Sequence, residues 1–108
     1  MNDETYALRR SVMGVIYEAK RFVDIPRVEV RIVETPPCLL GYAYTGGNII
    51  HISDKVASGS REKLVGTVLH ELVHAVKAFG HDPKCPLMEA SYKPHSESVL
   101  WDAFKGYF

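Results

Sequence analysis

Leu64-Val65-Gly66-Thr67-Val68-Leu69-His70-Glu71-Leu72-Val73-His74-Ala75-Val76 is the stretch whose reading decides the fold. Across residues 61–79 the apolar side chains Leu64, Val65, Val68, Leu69, Leu72, Val73, Val76 and Phe79 recur at steps of three and four. That is the period of an amphipathic helix. Lys63, Thr67, His70, His74 and Lys77 collect on the opposite face. Ser58 or Ser60 can cap the start, Glu62 suits the first turn, and Gly80 is a natural stop.

On that helix His70 and His74 stand one turn apart and point to the same side, so both imidazoles can grip one metal ion. Glu71 lies about 100° around the helix from His70. It is misplaced for a third ligand but can reach a water on the metal. Two ligands and a base are what metal-assisted hydrolysis requires. A chain of this composition carries such a string by chance about once in sixty, so the helical setting and the rest of the site have to carry the reading.

Upstream, residues 6–23 place Leu8, Val12, Val15, Ile16, Ala19, Phe22 and Val23 at helical spacing, which predicts a first helix ending near Asp24-Ile25-Pro26. Residues 27–34 alternate, with Val28, Val30 and Ile32 on one face and Arg27, Glu29 and Arg31 on the other, the pattern of a half-buried strand. The runs 39–44 and 48–53, separated by Thr45-Gly46-Gly47, read as a β-hairpin with glycines supplying positive φ. His51 reads there as a satisfied strand histidine. A proline-punctuated segment follows the motif helix from His81 to Pro94, and a last short helix starts near Ser96. The expected fold class is α+β over a single domain, residues 1–108: N-terminal helix, three-stranded mostly antiparallel sheet, motif helix, irregular segment, short C-terminal helix.

Thirteen basic and thirteen acidic side chains leave no formal charge, so nothing electrostatic recommends nucleic acid or a membrane surface as partner. No apolar run approaches a membrane span, and the polar start Met1-Asn2-Asp3-Glu4-Thr5 precedes no apolar signal region. A cytoplasmic protein is expected. Cys38 and Cys85 make no disulfide framework and read as small buried or half-buried hydrophobes. A sharper idea puts Cys38 on the metal as an inhibitory thiolate. The aromatic tail, residues 101–108, offers a contact surface or self-association.

A hydrolytic zinc site needs three protein ligands and one open position. His81 is one candidate for the third, provided the chain reverses after Phe79; Glu97 and Glu89 are the others. Glu97 competes with a simpler role as an acid at a helix start. Tyr92 or His95 could serve as an additional oxyanion donor.

The order His70-Glu71-Leu72-Val73-His74, then Gly80-His81, then Cys85-Pro86-Leu87-Met88 and Tyr92, resembles the zincin metallopeptidases, particularly the metzincins. The match covers about the last forty residues of the chain. The metzincin pattern has its third histidine where Gly80 stands, one residue before His81, and a glycine where Lys77 stands. The gluzincin branch, whose smallest members (minigluzincins) are similar in layout, uses a glutamate on a later helix, and Glu97 is the matching residue. The resemblance implies a zincin-like fold with an edge strand lining a cleft, where a peptide substrate adds by strand pairing. It implies one catalytic Zn²⁺ on His70, His74 and His81 (or Glu97), with Glu71 as the base of peptide-bond hydrolysis. Met88 is a Met-turn residue under the first branch and a core methionine under the second.

Two rival readings stand beside it. A bacterial ribosome-maturation endoribonuclease family is similar in placing three histidines in a row on a short domain, but carries Gly where this chain has Glu71. A zinc-stabilised interaction module without catalysis would close the ion with four protein ligands.

Overall fold

The computed structural model describes residues 3–108. Helix α1 (Asp3–Lys20) buries Val12, Val15, Ile16 and Ala19 completely, the face its spacing predicts. It stops at Lys20, ahead of Pro26, and the backbone N–H groups of Phe22 and Val23 turn back onto the Ala19 carbonyl.

Strands β1 (Glu29–Val33), β2 (Gly41–Ala43) and β3 (Ile49–Ser53) form one sheet in the order β1-β3-β2. β2 and β3 pair antiparallel, with Tyr42 opposite His51, as the hairpin reading predicts. β1 pairs parallel with β3, with Val30 opposite Ile50 and Ile32 opposite Ile52. The sheet is therefore mixed rather than mostly antiparallel. After Val33 the chain passes to the far edge before turning back, so β3 fills the middle and runs in the direction of β1. Alternation in a sequence announces a strand but not its neighbour. Gly46 carries positive φ in the hairpin loop as expected, and Asn48, unforeseen, shares that role.

A short helix α2 (Asp54–Ala57), absent from the sequence reading, follows β3, with Ser53 capping it through Lys55 N–H. Helix α3 (Arg61–Leu72) is capped by Ser60, whose hydroxyl accepts from Lys63 N–H. It buries Leu64, Val65, Val68, Leu69 and Leu72 among the sheet, α1 and α4. Helix α4 (Glu97–Tyr107), capped by Ser96, turns Leu100, Trp101 and Phe104 into the same core. It lies close on α3: a β-carbon on Gly66 would stand 3.3 Å from Leu100 Cδ1.

The aromatic tail packs onto its own chain. Tyr107 packs tilted against Phe79 with centroids 5.3 Å apart, and Phe108 likewise against Phe104 at 4.7 Å. Among the described residues no helix is long and apolar enough to cross a membrane.

Candidate metal centre

The motif helix does not run on to Gly80. At Val73 it widens into a π-helical turn, Val73–Lys77, and ends on Ala78, whose φ of 60° and ψ of 24° are left-handed. A π turn takes one residue more than an α turn. The hairpin loop secures the widened turn: Gly46 N–H donates to the His74 carbonyl at 3.1 Å and Asn48 N–H to the Ala75 carbonyl at 3.4 Å. These bonds satisfy carbonyls that a helix end would leave bare. The stop is thus Ala78, not Gly80, because the turn has absorbed a residue before the chain reverses.

The reversal brings His81 back. The candidate ligand atoms of His70, His74 and His81 all lie within 4.8 Å of one another. Ring centroids are 4.6 Å apart for His70 and His74, 4.9 Å for His74 and His81, and 5.2 Å for His70 and His81.

Two of the rings are oriented from behind. His70 Nδ1 is 2.7 Å from the Leu87 carbonyl and His74 Nδ1 is 2.7 Å from the Phe79 carbonyl. A carbonyl oxygen can only accept, so each Nδ1 carries the proton and each Nε2 is left as a lone-pair donor. Those two Nε2 atoms face each other at 3.0 Å. Burial pushes His70 down to about 4 and lowers His74, so both rings stay neutral at ordinary pH. Two facing lone pairs without a proton between them repel, and a cation is the partner that removes the repulsion. The donor set fits a divalent metal: three imidazole nitrogens, two held by backbone carbonyls.

Glu71 faces the same cavity of about 620 Å³ that His70, His74 and His81 line. It is only 6% exposed, and burial raises its carboxyl to about 7. β2 and residues 86–93 wall the cavity over this side of α3, and Thr67 there is buried as well. Gly41 lets β2 lie close on β3: a β-carbon there would sit 2.6 Å from the His51 carbonyl oxygen, whereas Glu71 Oε2, 3.5 Å from that point, is at ordinary contact distance.

The segment after His81 closes beneath the site. Asp82 N–H donates to the Met88 carbonyl at 2.8 Å, Cys85 N–H to the Asp82 carbonyl at 3.1 Å, and Met88 is fully buried in the core. Met88 thus belongs to the loop whose Leu87 carbonyl holds His70, and it is a core side chain at the same time.

The other sequence candidates lie elsewhere or do other work. Glu97 pairs with Arg61 at 2.8 Å and accepts from Trp101 Nε1–H at 3.1 Å, at the opposite end of α3. Those bonds hold its carboxyl below the usual range. Glu89 lines the cavity and lies 3.7 Å from Lys93 Nζ and 3.8 Å from His95 Nε2. Tyr92 lines the cavity too, but its hydroxyl donates to Glu62 at 3.4 Å. His51 is a buried strand residue stacked on Tyr42 at 4.2 Å, but it is not the satisfied histidine expected: its Nδ1 has no hydrogen-bond partner among the described residues. Cys85 is half-buried as expected, but Cys38 is exposed on the cavity wall rather than buried, because it sits in the loop that enters β2; both are free.

Sequence reasoning missed three contributors: Leu87 and Phe79, which act through backbone carbonyls, and Gly41. A carbonyl's role leaves no trace in residue type, and only a glycine flanking an edge strand could have drawn notice. Compared with protein-family models and with curated proteins, the chain matches none.

Proposed function

We propose that this chain is a zinc-dependent metallopeptidase of the zincin type. The observation that carries the reading is the convergence of three imidazole nitrogens and one buried carboxyl, Glu71, on a single cavity. His70, His74 and His81 would hold the zinc ion, which when bound would supply Lewis acidity toward water and a carbonyl oxygen. Glu71 takes the proton of the attacking water onto a carboxylate oxygen and passes it to the leaving amine nitrogen. Its burial raises its proton affinity toward neutrality, which suits both halves of that transfer.

Further support comes from the surroundings. β2 is an edge strand and Gly41, Tyr42 and Ala43 line the cavity, so an extended peptide can pair along it. The extra residue before His81, relative to the metzincin spacing, is the one the π turn takes up. Ala78 then stands three residues before His81, as the metzincin glycine stands before its histidine. Among the described residues the metal-competent group has three members, as an open catalytic site requires, rather than four. The nuclease reading gains nothing: the cavity wall carries one lysine, Lys93, against Glu71 and Glu89. Two free cysteines suit the reducing cytoplasm.

The test is cleavage of a fluorogenic peptide mixture by zinc-loaded protein, alongside metal analysis. Glu71→Gln is expected to keep one zinc per chain and to lose turnover by about 10²-fold or more. Undiminished cleavage by that variant would overturn the mechanism.

A further inference from the structure

Thr67 sits one helical turn before Glu71 in the regular part of α3, on the same side of the helix. Both side chains are buried, at 5% and 6% exposure. The Thr67 hydroxyl is shut off from solvent and has no hydrogen-bond partner among the described residues. It does not even bond back to the carbonyl a turn earlier, the usual recourse of a helical threonine. The Glu71 carboxyl accepts no hydrogen bond from any described residue either. A sealed hydroxyl without a partner is costly, and the carboxyl that opens on the cavity one turn away is a natural acceptor for it.

Their geometry allows the pairing. The point where Gly41 would carry a β-carbon lies 3.4 Å from Thr67 Cγ2 and 3.5 Å from Glu71 Oε2. The threonine methyl and the carboxylate oxygen therefore border the same gap beneath β2. One staggered step about χ1 carries the hydroxyl into the place the methyl holds, the methyl moving to that of the β-hydrogen. There the hydroxyl borders the same gap as the Glu71 oxygen.

We propose that Thr67 is a positioning residue for Glu71: its hydroxyl donates to one carboxylate oxygen of the ionised side chain and leaves the other free toward the three histidines. The functional half of this inference rests on the reading of Glu71 as the catalytic base; the contact itself does not. Thr67→Val removes the hydroxyl at nearly constant shape, and Thr67→Ser restores it.

The experiment uses the full chain with isotope-labelled glutamate carboxyls at about pH 8, where Glu71 is ionised. Glu71→Gln identifies the Glu71 resonance. In metal-free protein, Thr67→Val is expected to shift that resonance while Thr67→Ser leaves it near the parent position. In zinc-loaded protein, Thr67→Val is expected to lower kcat about fivefold with KM and zinc content unchanged, and Thr67→Ser to recover kcat to within about twofold. Thr67→Ala replaces the valine variant should that fail to fold. A resonance unmoved by loss of the hydroxyl, or a serine variant behaving like valine, overturns the pairing. A resonance that moves and is rescued, in a chain that cleaves no peptide, upholds the contact and removes the peptidase reading instead.

Discussion

The Nε2 atoms of His70 and His74 stand 3.0 Å apart, each ring having its other nitrogen bound to a backbone carbonyl. The carbonyls of Leu87 and Phe79 come from the loop and the reversal that follow the helix, so the ligands are aimed by chain that lies outside the motif. Aimed donors that repel one another when empty have the chemistry that fits a cation.

Zinc should therefore stabilise the fold. At a hundredfold excess over its dissociation constant the gain is about 2.7 kcal/mol, read as a rise in melting temperature. Alanine at His70, His74 or His81 is expected to remove most of that rise. A His81→Ala chain that responds to zinc like the parent would exclude His81 from the centre.

Glu97 gives the complementary control. It is half-exposed and bound to Arg61, so Glu97→Ala should cost about 0.5 kcal/mol in urea unfolding, the modest value of a solvated pair. Its zinc response should equal that of the parent. Loss of zinc binding in this variant would restore the glutamate branch.

Stability against pH separates Glu71 from the histidines in metal-free protein. Glu71 is raised from 4.5 to about 7, so between those values the folded chain holds a proton that the unfolded chain has released, and its contribution falls as pH rises. His70 is lowered from 6.5 to about 4, so its contribution is lost as pH falls through that interval. The two slopes oppose each other in the parent. Glu71→Gln leaves the histidine slope alone, and at neutral pH and above it should be the more stable protein by roughly 2–3 kcal/mol. Chemical denaturation of both proteins across pH 4 to 8 checks this; a variant no more stable than the parent above neutrality would count against the buried carboxyl.

Ala78 adopts a left-handed conformation with φ of 60°. An L-residue with a β-carbon is strained there by roughly 1 kcal/mol, and glycine is not. Ala78→Gly should accordingly raise stability by up to about 1 kcal/mol, less the entropy glycine loses on folding, with zinc affinity unchanged. A clear loss of stability in urea would argue that the π turn ends differently.

Much of this molecule was written in local pattern. The apolar spacing of Leu64 to Val76 determined a helix, the offset of His74 from His70 determined that two imidazoles share a face, and Ser60 and Ser96 cap the helices they precede because their hydroxyls satisfy bare N–H groups. Those are interactions within one turn or one strand, so residue order alone encodes them. Tertiary contact decided the rest. The parallel pairing of β1 with β3 depends on where the chain crosses, which no alternation records. The π turn that lets His81 return depends on Gly46 and Asn48 bonding the His74 and Ala75 carbonyls from another element. Which of His81 and Glu97 lies beside the histidine pair followed from both: a reversal at Ala78 brought His81 back to it, while Arg61 and Trp101 held Glu97 at the far end of α3. Proximity in space depends on that reversal, which residue order does not record.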